Sequence, residues 1–223
     1  MKKPSASRHS SAALTAATLF AAALLVAGAT SCTSVDRRPP PPAAVVAAPV
    51  AAPASVRAEE KEPDVIYVPT PQAVVDKMLE MAEVKSGDIV YDLGCGDGRI
   101  VVTAAKKYGV KAVGFDIDPE RVAEARENVR HAGVEHLVTI KQEDIFTLDL
   151  RAASVVTLYL LPELNVRLMP QLELLPPGSR IVSHDFDMSG AKPVEVVKMS
   201  ENKADLGGTN HTIYKWVVPW KAE

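Results

Sequence analysis

The apolar positions from residue 70 onward switch repeatedly between a helical and an extended period. Val74, Val75, Met78, Leu79 and Ala82 recur at helical spacing behind Thr70-Pro71. They predict a helix with Thr70 as N-cap, Pro71 at its first position and Ser86-Gly87 at its end. Ile89 to Leu93 is a short apolar run that reads as a buried strand, and a glycine-rich turn leads from it into a helix over Arg99 to Tyr108. A second strand contains Val113-Gly114-Phe115, and Pro119 opens a third helix that runs to His131. Strands over Val138 to Lys141 and Ser154 to Leu160 follow, then a helix over Glu163 to Leu174 interrupted by Pro170. After the turn Pro176-Pro177-Gly178 comes a strand from Arg180 to His184. Two β-rich runs, Val194 to Met199 and Thr212 to Val218, flank Gly207-Gly208 as a closing hairpin. Strand and helix in alternation give an α/β fold, a mainly parallel sheet with helices on both faces.

Upstream of residue 60 the pattern is different. Lys2, Lys3 and Arg8 precede an uncharged, largely apolar stretch from Ser10 to Val35, the order of a secretory signal. Ala29-Thr30-Ser31-Cys32 resembles a loose lipoprotein box, while Ala27-Gly28-Ala29 suits ordinary cleavage. The same run, at about 18 apolar residues, is also long enough for an anchor. Residues 32–59 are rich in proline and alanine, including Pro39 to Pro42, and read as an extended spacer. The organisation expected is therefore a signal or anchor over 1–31, a linker over 32–59 and one folded domain over 60–223. That places the domain at the cell envelope, attached to a membrane through its N-terminus. Bases flank the apolar run on both sides (Arg37 and Arg38 follow it), so either face of the membrane is open.

Charge narrows the partners. Residues 1–59 hold six bases and two acids, which leaves 19 bases and 26 acids in 60–223. A domain of net charge −7 repels phosphate backbones, so nucleic acid is not the expected partner. Two cysteines, Cys32 and Cys95, exclude a disulfide scaffold. His131, His136 and His211 show no metal-ligand spacing in sequence and read as surface or loop residues.

The candidate chemistry falls at strand ends, where ligands bind in such sheets. The first strand runs into Asp92-Leu93-Gly94-Cys95-Gly96-Asp97-Gly98-Arg99. Glycines at alternate positions bring the backbone close to a ligand. Arg99, however, stands where a dinucleotide fingerprint needs a third small residue. Asp92 repels a phosphate and suits a cationic amine. Asp116 ends the second strand, where a carboxylate accepts the hydroxyls of a ribose. Glu143-Asp144-Ile145 ends the third, where a carboxylate can take an adenine amino group and an apolar neighbour can face the ring. Together these residues describe a pocket for an adenosine carrying a charged amino-acid tail. Cys95, inside the glycine turn, reads as a small filler and not as a nucleophile.

Asp92-x-Gly94-x-Gly96-x-Gly98, Gly114-Phe115-Asp116 and Glu143-Asp144-Ile145 resemble the successive motifs of class I S-adenosylmethionine-dependent methyltransferases, over about residues 64–218. The resemblance implies a Rossmann-like sheet of seven strands, the last inserted antiparallel, and S-adenosylmethionine as cofactor. It also implies Asp92, Gly94, Gly96 and Gly98 near the methionine moiety, Asp116 on the ribose, and Asp144 with Ile145 at the adenine. Tyr67-Val68-Pro69-Thr70-Pro71, together with Tyr91 to Ile100 and Ser183 to Met188, is similar to a narrower family of protein lysine methyltransferases. That family includes those of the ATP synthase c subunit and the adenine nucleotide translocase, and it has bacterial relatives. By that likeness Tyr67 and Thr70 close over the methionine end of the cofactor.

Methyl transfer needs an aligned nucleophile free of its extra proton. The fourth strand ends in Tyr159-Leu160-Leu161-Pro162-Glu163, which lacks the Asn/Asp-Pro-Pro-Tyr run used on planar nitrogens; Tyr159 is the candidate for positioning the acceptor, with His184 and Asp185 at the neighbouring strand end. The expected acceptor is a protein side chain, a lysine, on a substrate that can itself be membrane-associated. A small-molecule acceptor, enclosed by Tyr67, the first helix and the Tyr159 loop, is the alternative. A tethered domain that binds the cofactor without catalysis is a third.

Overall fold

The computed structural model describes residues 67–201 and 209–222. The signal, anchor and linker expected over 1–59, the domain start near residue 60 and the Gly207-Gly208 turn lie outside these residues. Among the described residues four helices, α1 (Gln72–Met81), α2 (Arg99–Tyr108), α3 (Pro119–Ala132) and α4 (Pro162–Leu172), accompany nine strands. The parallel strands are β1 (Ile89–Leu93), β2 (Lys111–Asp116), β3 (Val138–Gln142), β4 (Val155–Leu158) and β5 (Arg180–His184). The others are β6 (Ala191–Lys192), β7 (Glu195–Glu201), β8 (Thr209–Val217) and β9 (Lys221–Ala222).

Seven strands form one sheet in the order β3-β2-β1-β4-β5-β8-β7, and β6 pairs with β9 separately. Neighbours from β3 to β5 are parallel, while β8 runs antiparallel to both β5 and β7. The order reverses at β1, so the ends of β1, β2 and β4 open the crevice where such sheets bind ligands. Strand alternation sorts the core into two layers. Val90, Ala112, Val138, Ile140, Val155, Val182 and Ile213 pack beneath α1, α2 and α3. Leu93, Phe115, Val156, Leu158, Ile181 and Trp216 face the other way, with Leu168 and Leu172 of α4. Helices thus cover both faces.

Three local expectations are corrected. The N-cap of α1 is Pro71, not Thr70, and the helix is over by Ala82, before Ser86-Gly87; the chain turns there through Glu83 at φ +51°. The hydroxyl of Thr70 is turned instead toward His184. α4 is not interrupted at Pro170: the missing N–H falls in the last turn of the helix. His211 is no surface residue but is buried in β8.

A buried ion pair ties β5 to the start of β1. Arg180 donates to Asp88 at 2.5 Å and to the Ala82 carbonyl at 2.9 Å, and Asp88 also accepts from Ser154 Oγ at 2.7 Å. Burial opposes ionisation of Asp88, but Arg180 and Ser154 outweigh it and hold the carboxyl below its usual range. Asp88→Ala strands a guanidinium that is only 13% exposed, and should cost about 3 kcal/mol in urea unfolding at pH 7. Because the folded-state pKa of Asp88 is depressed, this contribution is full above the unfolded carboxyl value, about 4, and is lost as pH falls through the folded value. An Asp88→Ala chain as stable as the parent would refute the role.

Candidate active site

The crevice at the strand ends is a cavity of about 270 Å³. Tyr67, Thr70, Asp92, Gly94, Asp116, Asp144, Ile145 and Tyr159 all line it. Gly96 and Gly98 do not, and stand behind it as the shape of the loop. Gly96, at φ +52°, is covered by the ring of Tyr67, so that a Cβ there would lie 2.1 Å from Cε2. Gly98 caps α2 in the left-handed region at φ +77° and lets Ala125 of α3 approach. The alternating glycines therefore serve side-chain packing as much as backbone approach.

Asp92 sits at the back wall, fully buried. It pairs in register with Thr157 of β4, whose hydroxyl donates to Oδ1 at 2.7 Å. Oδ2 is buried and has no partner. Burial raises the Asp92 pKa to about 7; Thr157 opposes the rise, while Asp116 and Asp97 add to it. Asp116 accepts from the Gly96 N–H at 2.8 Å and from the Asp118 N–H at 3.0 Å, which fixes both its oxygens at the cavity edge. Asp144 caps a turn of 3-10 helix (Ile145–Thr147) by accepting from the Phe146 N–H, which presents Ile145 and Phe146 to the cavity.

Tyr67 forms one wall between Gly96 and the guanidinium of Arg121, 5.2 Å from the ring centroid. Burial, and the Asp97 carboxylate beside it, push its phenol up to about 12, so it stays protonated. Sequence reasoning missed what holds this wall. Arg99 forks onto Asp97 at 3.0 and 2.6 Å and donates to the Thr70 carbonyl at 2.9 Å, clamping the segment before α1 to the glycine loop. Burial opposes ionisation of Asp97, but Arg99 prevails and its pKa is lowered. The Arg99 that excluded a dinucleotide fingerprint is the visible signal of this clamp. Cys95 is buried against Gly114, and burial, then Asp92 and Asp116, raise its thiol well above the ordinary value; it is no nucleophile.

On the acceptor side, the Tyr159 ring packs on His184 at 4.0 Å between centroids, with Phe186 at 6.1 Å. Burial first, then Asp185, raise the Tyr159 phenol. His184 does not line the cavity: it lies fully buried behind Tyr159 and Thr70, and desolvation lowers its pKa to about 4.

Known proteins resemble this chain over about two thirds of its length. The family model for the ANTKMT methyltransferase domain matches residues 92–195. A protein-lysine N-methyltransferase of Saccharolobus islandicus is 49% identical over 158 residues, 70% of this chain and 95% of that protein. The adenine nucleotide translocase lysine N-methyltransferase of Mus musculus is 33% identical, over 71% of this chain and 70% of its own length. Among solved structures, one from Salinibacter ruber, described as an RNA methyltransferase in complex with S-adenosyl-L-homocysteine, is 48% identical. It superposes with a TM-score of 0.62 over 68% of this chain and 94% of its own.

Proposed function

This chain belongs to the ANTKMT family of S-adenosylmethionine-dependent methyltransferases, and on that premise we propose that it methylates the ε-amino group of a lysine in a protein. The residues present fit the cofactor. Asp92 offers a buried, unpaired oxygen to the α-ammonium, where an uncompensated carboxylate is costly and a cation is welcome. Asp116 would hold the ribose, Asp144 and Ile145 the adenine, and Gly94, Tyr67 and Thr70 the methionine end. Gly96 and Gly98 would shape the loop beneath.

When bound, the cofactor supplies an electrophilic methyl group on a sulfonium sulfur. The chain's own part is to exclude water, align the acceptor and favour its neutral amine. The observation that carries the lysine reading is the mouth of the cavity, where Val68 and Leu161 line the opening and remain 56% and 43% exposed. With Phe186 and Tyr159 they make an apolar collar suited to the four-carbon stem of lysine. Such a collar desolvates an entering ammonium, which lowers its pKa and favours the nucleophilic form. The excess of acids in the domain favours a basic side chain over a phosphate backbone.

The proposal extends to location: residues 1–59 attach the enzyme to a membrane at the cell envelope. The basic start, apolar run and proline-rich spacer support this. Among the described residues no helix is long and apolar enough to cross a membrane. Fractionation of cells producing the full chain should put it with membranes, and removal of residues 1–31 should release it; a soluble full chain would refute attachment.

The substrate is tested with the full chain, methyl-tritiated S-adenosylmethionine and separated membrane and soluble extracts, with Asp116→Ala as control. The expected result is a discrete labelled protein that yields methyllysine on hydrolysis and disappears with the variant. Label that ribonuclease removes, or label confined to small molecules, would overturn the lysine reading. Cofactor binding without transfer to any extract would leave a non-catalytic domain.

A further inference from the structure

Behind the acceptor side of the cavity, three side chains from two neighbouring strands bring two ring nitrogens and a carboxylate oxygen within 3.5 Å of one another. His184 closes β5, Asp185 follows it, and His211 lies in β8, which pairs antiparallel with β5. His184 Nε2 is 2.9 Å from His211 Nδ1 and 3.2 Å from Asp185 Oδ2, and the last two atoms are 3.5 Å apart. Donors bound at ~2.1 Å to one ion stand ~3.0 Å apart at right angles and ~3.4 Å apart in a tetrahedron. The observed triangle spans that range. We propose that His184, Asp185 and His211 form a binding site for one divalent transition-metal ion of the zinc type, with a coordination position left for water.

Two of the three ligands are held from outside the triangle, as metal ligands commonly are. Nδ1 of His184 faces Thr70 Oγ1 at 3.3 Å, which directs Nε2 inward when Nδ1 carries the proton. Asp185 accepts the Thr212 N–H on Oδ1 at 2.7 Å, which leaves Oδ2 for the two imidazoles. Its backbone is in the left-handed region at φ +59°, a conformation a non-glycine residue adopts at a cost, and its N–H donates to the Thr212 carbonyl at 2.6 Å. His211 has no protein partner on Nε2, so the convergent side is where its ring is anchored.

A purely hydrogen-bonded cluster fits less well. With both imidazoles neutral and one proton between the two rings, the ring nitrogen without that proton still lies within 3.5 Å of the Asp185 carboxylate and has no proton to offer it. An ion satisfies all three donors at once, and two imidazoles with one carboxylate suit zinc and its first-row neighbours. Asp185, 28% exposed, gives the side of entry. The site is separate from the methyl-transfer cavity yet adjoins it, because His184 touches Thr70 and Tyr159, which line that cavity. A bound ion would fix this wall in place.

The test uses the full chain, stripped with a chelator and then titrated with Zn²⁺ by calorimetry and with Co²⁺ by visible absorption. The expected result is one saturable ion per chain, with a Co²⁺ d–d spectrum of nitrogen and oxygen ligation. Asp185→Asn and His211→Gln should each weaken binding at least ~30-fold, and His131→Gln, outside the cluster, should change nothing. S-adenosylhomocysteine binding, followed in parallel, shows that the variants are folded. Absence of saturable binding by the parent chain would overturn the proposal, leaving a hydrogen-bonded cluster. Binding that persists in both folded variants would overturn it too, because the ion would then be held elsewhere. Should the variants fail to fold, the parent titration and its Co²⁺ spectrum still decide the matter.

Discussion

Asp92→Asn should weaken cofactor binding several-hundred-fold and at the same time stabilise the protein without cofactor at pH 8. The two effects have one cause. Asp92 is wholly buried, its Oδ2 has no partner, and its pKa stands at about 7. An unfolded aspartate titrates near 4, so between about pH 4 and pH 7 the folded state holds a proton the unfolded state has released. Stability without cofactor therefore falls as pH rises through that window, and above pH 7 the fold carries a buried, uncompensated charge. Asparagine keeps the acceptor for Thr157 but brings no charge, so it relieves the fold. It also turns N–H donors toward the place of the α-ammonium, at a cost of about 3–4 kcal/mol, several-hundred-fold in Kd. Calorimetry with S-adenosylhomocysteine and thermal melts at pH 5 and pH 8 check both halves. In the parent, affinity should fall up to about tenfold per unit as pH drops below 7, since the ammonium needs the carboxylate. The Asn variant should lack that slope. Retained affinity in the variant would remove Asp92 from the site.

Gly96→Ala should weaken cofactor binding about a hundredfold while costing the fold only about 1–2 kcal/mol. The added methyl would stand 2.1 Å from Tyr67 Cε2 and 2.7 Å from Cδ2. The residue must also hold φ +52°, which costs an alanine about 1 kcal/mol. The loop itself is anchored, with the Gly96 N–H on Asp116 and the Asp97 carbonyl on Asn128. The ring of Tyr67 is therefore what moves, and the wall it forms goes with it. Tyr67→Ala removes the same wall by another route, so the double variant should bind little worse than either single one. Strictly additive losses would show that Gly96 acts on the cofactor independently of Tyr67. Titrations of the four chains settle the cycle, with circular dichroism to verify folding.

Much of this site is legible along the chain. Asp92 and Asp116 stand at the ends of β1 and β2, and Asp144 lies two residues beyond β3; the apolar run of each strand is visible in sequence, and a parallel sheet brings consecutive strand ends to one edge. The helices α2 and α3 are equally legible, because Gly98 and Asp118 at their starts and Gly109 and Gly133 at their ends act locally. Other features are not. The wall of Tyr67 against Gly96 depends on how the segment before α1 returns across the loop. The Arg99 clamp on Thr70 crosses from one helix start to another. Thr70 illustrates the difference: its neighbours make it an N-cap, yet a histidine 114 residues away takes the hydroxyl.

The sequence by itself determined the class of fold, the order of its strands and helices, and the acids at the strand ends. These follow from periodicities of two and 3.6 residues and from capping and turn chemistry, all of which act within a few residues. Only the tertiary structure decided the burial of Asp92 with one oxygen unpaired, the wall behind Gly96 and the meeting of His184, Asp185 and His211. Side chains from separate strands meet according to the register of β5 with β8, where His184 lies opposite Ile213 and so one turn of the pleat from His211. That register is set by packing across the whole sheet, and no local pattern encodes it.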